Sequence, residues 1–230
     1  MTSPLVILRP EPGASMTAKR ARAAGWTAKT VPLFAIAPLD WEPPDPEKFD
    51  AVLMTSANAA RFGGVGLDGY HGLPLYAVGR QTGEAARAQG FETVIEGEHG
   101  AAEMADRMRR DGMVRIFHAA GAATRPFDER DLAIERNALY EARRAAPPNL
   151  AAILPPNAII LLHSPRSAGY LDELCTDQSI DRAMLSLVAI SDATLAEAGG
   201  GWRAAVAAQR PGDDAQRAAA SALGGSDPIG

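Results

Sequence analysis

Four hydroxyl-bearing turns are the residues of this sequence best suited to chemistry. Ser56 follows the apolar run Ala51-Val-Leu-Met-Thr, and Ser164 follows Ile159-Ile-Leu-Leu-His. Thr82 comes after Tyr76-Ala-Val-Gly-Arg-Gln, and Thr194 after Val188-Ala-Ile-Ser-Asp-Ala. Each turn places a hydroxyl where a strand ends and a helix begins. Helix N-termini carry unpaired N–H groups and the positive end of the helix dipole, so they attract anions. In open α/β sheets, ligands also sit along that edge. Ser and Thr cap helices in any protein, and for a single turn that ordinary role accounts for the residue. Four turns in matched pairs point to a shared binding region for a ligand with several negative charges.

Other candidates stand near strand ends. Tyr140 lies in the extended segment Leu139-Tyr-Glu-Ala-Arg143, and a phenol can donate a proton or a hydrogen bond. Arg9, Arg125 and Arg166 each sit beside an expected strand end; they could pair with carboxylates, or equally be solvated or structural. Gly64-Val-Gly66-Leu-Asp-Gly69 matches GxGxxG literally, but it follows a short helix where a dinucleotide loop must follow a strand. It reads as a flexible surface loop. No GxSxG or Walker A motif occurs. His163 and Ser164 are adjacent, and neighbours on a strand point to opposite faces, so they make a poor base–nucleophile pair. One cysteine, Cys175, and four scattered histidines, His71, His99, His118 and His163, argue against a disulfide or a protein-built metal site.

The 230 residues suffice for one large α/β domain or two small ones. A net charge of −5 and a pI near 5.4 argue against sequence-independent nucleic-acid binding, which needs a basic field. No apolar run approaches the length of a membrane span. The start, Thr2-Ser-Pro-Leu-Val-Ile-Leu-Arg-Pro10, reads as a first strand and not an export signal, which makes the cytoplasm the simplest compartment.

Short apolar runs alternate with amphipathic stretches, the pattern of an α/β fold with parallel sheets. Strands are expected at Leu5–Leu8, Ala51–Met54, Leu75–Val78, Glu92–Ile95, Val114–His118, Ala158–Leu162 and Leu185–Ile190, with extended chain over Thr27–Ile36, Leu139–Arg143 and Trp202–Ala207. Helices are expected at Ser15–Ala24, after Asn58, at Arg80–Gln89, Ala101–Arg110, near Phe127–Arg136, from Ser164, at Asp192–Ala198 and at Asp213–Leu223, and the tail from Gly224 reads as frayed. The Pro-rich stretch Pro38–Pro46 reads as a domain boundary. The two serines lie 108 residues apart and the two threonines 112 apart, so the chain carries two similar α/β units.

These ordered motifs resemble the uroporphyrinogen-III synthase family. The resemblance rests on Leu5-Val-Ile-Leu-Arg-Pro10, Phe49-Asp-Ala-Val-Leu-Met-Thr-Ser56-Ala-Asn-Ala, Tyr76-Ala-Val-Gly79-Arg-Gln-Thr82, Gly121 to Arg125, Leu139–Arg143, Ile160-Leu-Leu-His-Ser164-Pro-Arg-Ser-Ala168 and Val188 through Thr194, and covers almost the whole chain. It implies two parallel-sheet α/β domains joined by a two-stranded linker, with a cleft between them. On this sequence they would be residues 1–36 with 144–230, and residues 37–143. It implies dehydrating cyclisation of hydroxymethylbilane to uroporphyrinogen III with inversion of ring D, without a cofactor. It also implies a monomer, with transient contact with the preceding pathway enzyme. Tyr140 matches the family's linker tyrosine and becomes the candidate proton donor. Ser56, Asn58, Thr82, Ser164, Thr194, Arg9, Arg125 and Arg166 become candidate binders of the substrate's acetate and propionate groups. Ser191-Asp192 departs from the family's usual glycine and small residue or proline, and Asp192 could cap the helix and point away. A non-catalytic two-domain protein binding a small anion remains the alternative reading. A nucleotide-dependent enzyme with a Rossmann-like half is a further rival, already weakened by the misplaced glycines.

Overall fold

The computed structural model describes residues 3–223, and the tail from Gly224 lies outside them. The chain divides into two units. One comprises the residues up to Ala35 together with those from Arg144 onward, and the other is Ile36–Arg143. The first unit begins with β1 (Leu5–Ile7), α1 (Gly13–Ala23) and β2 (Ala28–Thr30), and β3 (Phe34–Pro38) leads out of it. The second unit follows as β4 (Ala51–Met54), α2 (Ala57–Phe62), β5 (Leu75–Val78), α3 (Arg80–Gln89), β6 (Val94–Gly97), α4 (Ala101–Arg110) and β7 (Arg115–Gly121). The long strand β8 (Ala133–Arg144) leads back. The first unit is completed by α5 (Leu150–Ile153), β9 (Ile159–Leu162), α6 (Pro165–Asp177), β10 (Ser186–Ala189), α7 (Asp192–Ala196), β11 (Ala204–Ala207) and α8 (Asp213–Ala222).

Among the described residues, the first unit's sheet runs β11-β10-β9-β1-β2 and the second's runs β6-β5-β4-β7-β8, with β3 added beside β8. The pairs within each five-strand set are parallel. Counted from β4, the second order is 3-2-1-4-5. Counted from β9 and continued at β1, the first order is the same. The two units are circular permutations of one topology, which extends the repeat expected from the serine and threonine turns. Parallel strands are covered on both faces and so read as unbroken apolar runs. Leu5-Val-Ile, Ala51-Val-Leu-Met and Ile159-Ile-Leu-Leu are buried throughout. On β4, Val52 and Met54 join one core with Phe117 and Leu139, whereas Ala51 and Leu53 join another with Met104 and Met108.

Three sequence expectations need correction. The helix expected near Phe127–Arg136 is absent: 122–132 is an irregular connection and Ala133 opens β8. The segment is rich in helix-forming Glu, Arg and Leu, but Asp131 takes a left-handed φ of 51°, which breaks a helix, and β8 gains pairing to β7. Phe127 and Leu132 pack on the core where the first unit has α1. The expected flexible glycine loop is an ordered 3₁₀ turn, Gly64–Tyr70, with Leu67 and Tyr70 buried. The Pro-rich stretch packs onto the second unit: Trp41 stacks on Phe117 at 5.8 Å, and the Tyr70 hydroxyl donates to the Pro44 carbonyl. Gly66 touches this packing, since a Cβ there would lie 2.7 Å from Cζ2 of Trp41. Extended chain over Thr27–Ile36 is interrupted between β2 and β3. No helix among the described residues is long and apolar enough to cross a membrane.

Two titratable groups at the central strands of the second sheet have shifted pKa values. At the start of β4, the Asp50 carboxylate accepts from the Val114 and Arg115 N–H groups at 3.1 and 2.8 Å and pairs with the Arg115 guanidinium at 2.6 Å. The Arg115 bonds hold its pKa at about 2. Further along β7, His118 is buried beside Phe127, with Nε2 3.4 Å from the Thr55 hydroxyl. Burial, helped by the charge of Arg136, pulls His118 down to about 4, so the ring is neutral at pH 7.

Two outcomes follow for stability. Replacing Gly66 with Ala should cost about 1–3 kcal/mol in urea unfolding, because the added methyl meets the Trp41 indole. Between pH 6.5 and about 4 the unfolded chain binds a proton at His118 and the folded chain does not. Stability should therefore fall by roughly 3 kcal/mol as pH drops through that window. His118→Asn should flatten that part of the stability profile in thermal melts; an unchanged profile would contradict the burial of a neutral ring.

Candidate functional site

Parallel pairing sends the carboxyl end of every strand in a sheet to the same edge, and the helix that follows begins there. In the second unit, Ser56 ends β4 and caps α2, its Oγ accepting from the Asn58 N–H at 3.2 Å. Asn58 is half-buried, and its side-chain oxygen accepts from Arg61 at 3.3 Å. Gly79 ends β5 at φ 83° and starts α3 without a side-chain cap; a Cβ there would meet nothing within 4 Å. Thr82 sits in the first turn, buried, with its N–H bonded to the Gly79 carbonyl at 3.0 Å. The surface of this turn is therefore made by Gly79 and Arg80, with Thr82 supporting it from within.

Tyr140 is brought to the same edge by an irregularity in β8. Ala120 pairs with Ala138, but Gly121 pairs with Tyr140, so Leu139 is an extra residue on the β8 side. Such a bulge re-aims the side chain that follows it. Leu139 goes into the core, its carbonyl accepting from the Leu39 N–H, while the Tyr140 carbonyl accepts from the Ala122 N–H at 2.8 Å. The half-buried phenol lies over Gly121 and beside the Phe62 ring, 6.4 Å between centroids. Among the described residues, no group hydrogen-bonds to its hydroxyl. The order 3-2-1-4-5 reverses between β4 and β7, and in open parallel sheets ligands sit outside the strand ends at that reversal. Ser56 is on one side of it, and Gly121 with Tyr140 on the other.

The first unit has the corresponding edge. Ser164 ends β9 and caps α6: its Oγ accepts from the Ser167 N–H at 3.2 Å and donates to the Ser167 hydroxyl at 2.9 Å. Pro165 fills the first helical position, where no N–H is required. At the end of β10 the cap is Ser191 and not Asp192, which is exposed. Ser191 Oγ accepts from the Thr194 N–H at 3.3 Å and lies 3.1 Å from the Thr194 hydroxyl, so fully buried Thr194 faces inward, as Thr82 does. The sequence shows a Ser-x-x-Thr spacing here, but the family resemblance drew attention to the threonine and away from its cap.

The arginines separate. Arg9 lies in an internal network: Nη1 donates to the Thr17 hydroxyl at 3.3 Å and faces Asp213 at 3.5 Å. Asp213 also takes Arg20 at 2.8 Å and His163 at 3.5 Å. Burial alone would raise the Asp213 pKa, but the neighbouring His163 ring and the Arg20 and Thr17 bonds outweigh it and hold it well below the usual carboxylate range. His163 thus turns to Asp213 while Ser164 turns to its own helix, and no nucleophile–base pair forms. Arg166 covers the Phe34 ring at 4.6 Å. Arg125 is exposed in the 122–132 connection, without an ion pair among the described residues.

Each edge offers hydroxyls and helix starts, and the second unit adds the exposed Arg125 and the Tyr140 phenol, whose hydroxyl has no bond among the described residues; groups of these types suit an anionic substrate and a proton transfer. The matched sequence family is described as Uroporphyrinogen-III synthase HemD, and the match spans residues 15–216. Among curated proteins no relative matches. Of solved structures, uroporphyrinogen-III synthetase from Helicobacter pylori is similar at 15% identity and a TM-score of 0.64, over 96% of this chain and 99% of that one. A mutant uroporphyrinogen III synthase from the extremely thermophilic bacterium Thermus thermophilus is similar at 15% identity and a TM-score of 0.50, over the same shares. At such identities the structures speak for the fold, whereas the sequence match spans nearly the whole chain: this protein belongs to the uroporphyrinogen-III synthase family.

Proposed function

We propose that this chain converts hydroxymethylbilane to uroporphyrinogen III, with Tyr140 as proton donor to the departing hydroxyl. The observation that carries the role of Tyr140 is the combination of a bulge that turns its phenol to the strand-end edge and a hydroxyl with no bond to the described residues. In the first step the Tyr140 hydroxyl gives its proton to the substrate's hydroxyl, the carbon–oxygen bond breaks, and water leaves. The pyrrole nitrogen's electron pair fills the gap, producing an electron-deficient azafulvene. Free in water that species closes without inversion. The protein's task is to hold the rings so that a spiro intermediate forms and rearranges, a problem of orientation above all. The proton released when the last ring regains aromaticity restores the phenol. Expulsion of water makes the enzyme a lyase.

Carboxylate groups on every ring need several separate donors. The Ser56 and Ser164 turns, with Asn58, the Gly79-Arg80 start of α3 and the Ser191 start of α7, supply hydroxyls and helix ends for them. Thr82 and Thr194 support two of these turns from below. Arg125 adds a positive charge, whereas Arg9 and Arg166 act through the packing around them. An overall acidic chain suffices, because the helix ends provide positive potential locally. The resemblance extends the proposal to a cytoplasmic monomer that meets the preceding pathway enzyme transiently. The anion-binding alternative leaves the unengaged phenol without a role, and the family match favours the synthase.

Consumption of enzymatically generated hydroxymethylbilane should run well above its spontaneous closure. Tyr140→Phe should lower kcat by about a hundredfold or more with the fold intact by circular dichroism; wild-type turnover would remove Tyr140 as the acid. Arg125→Ala should raise KM about three- to tenfold with kcat nearly unchanged, since it removes binding common to ground and transition states. A kcat loss alone would contradict a purely binding role.

A further inference from the structure

The residue opposite Tyr140 has a property the reaction has not yet used. Gly121 is the last residue of β7 and is buried. Glycine in a strand is weaker than alanine by roughly 0.5–1 kcal/mol, so its presence calls for a local reason. The reason is not its backbone conformation, because Gly121 is not among the glycines with positive φ. It is space. A Cβ at position 121 would lie 2.7 Å from Cζ of Tyr140, and 2.9 Å from both Cε2 and Oη. All three are atoms at the far end of the phenol, and every one is closer than carbon atoms tolerate. The three nearest atoms all belong to one side chain, so the phenol tip is the first thing that would have to move.

We propose that Gly121 is a positioning residue, whose missing side chain fixes where the Tyr140 hydroxyl sits. The inference rests on the reading of Tyr140 as proton donor. The skipped residue Leu139 brings the Tyr140 ring directly across from Gly121. Phe62 stands beside the ring, so a methyl group at 121 displaces the phenol tip instead of merely tightening its packing. A displacement near 1 Å is enough to cost about a hundredfold in rate when a proton must pass along one hydrogen bond. Gly121 touches neither substrate nor proton in this account; it acts only through Tyr140.

Gly121→Ala and Tyr140→Phe, singly and together, test this through kcat and KM for hydroxymethylbilane consumption, with a thermal melt for each variant. Gly121→Ala should melt within a few degrees of the native protein, keep its KM within about twofold and lose at least about tenfold in kcat. In the Tyr140→Phe background, where no hydroxyl remains to misplace, the same change should cost less than about twofold, so the two losses fail to add. Native kcat in Gly121→Ala beside an impaired Tyr140→Phe overturns this inference and leaves the acid assignment standing. An equal loss in both backgrounds, or a melt lowered by more than about 10 °C, gives Gly121 a structural role and overturns it too. Native kcat in Tyr140→Phe overturns the acid assignment and the inference together.

Discussion

Parallel strand pairing is the constraint on which the rest depends. A parallel pair cannot be closed by a hairpin, so each strand must be followed by a crossover. In a sheet of such pairs every strand therefore ends at the same edge, and every crossover begins there. The helices put their uncompensated N–H groups at that edge whether or not a ligand is present. Each unit here obeys this with the same 3-2-1-4-5 order. Ser56 and Gly79 stand on adjacent strands of one sheet, and Ser164 and Ser191 on adjacent strands of the other. Anion-binding capacity is thus a by-product of topology, which the side chains then refine.

The refinement takes two opposite forms. At the start of β4 in the second unit, Asp50 binds two N–H groups and Arg115 so completely that its charge is spent inside the fold. Asp213, at the start of α8 in the first unit, is likewise engaged by Arg9, Arg20 and Thr17. These groups order the scaffold and leave nothing for a substrate. The Tyr140 phenol is the contrasting case: its ring is packed, and no described residue engages its hydroxyl. A group that is fixed in place but not satisfied is ready to act on an incoming molecule, and pre-organisation of that kind is what orientation-limited chemistry requires.

Much of this was legible in the sequence because it rests on local patterns. Apolar runs of four residues followed by Ser or Thr located β4 and β9 and the starts of α2 and α6. The parallel α/β class followed from their alternation with amphipathic stretches. Harder to read were features that depend on distant partners. Residues 127–136 have helical composition, and only the pairing of β8 with β7 turns their second half into strand. The glycines of the GxGxxG match looked like a loop, yet Gly66 is small because the Trp41 indole lies against it. Arg9, a candidate binder of substrate carboxylates, meets Asp213 instead, a partner that only the packing of α8 brings to it. Thr194 was visible as a hydroxyl at the right place, but its burial behind Ser191 was not. Gly121 carried no sequence signal for its role, because the close approach exists only through the extra residue in β8.

Ring closure with inversion requires the scaffold to hold a linear tetrapyrrole in one orientation. The most direct measurement is the isomer composition of the product, by chromatography after oxidation, when the purified chain acts on enzymatically generated hydroxymethylbilane. The product should be predominantly the type III isomer. Type I product alone, formed at the rate seen without protein, would contradict it.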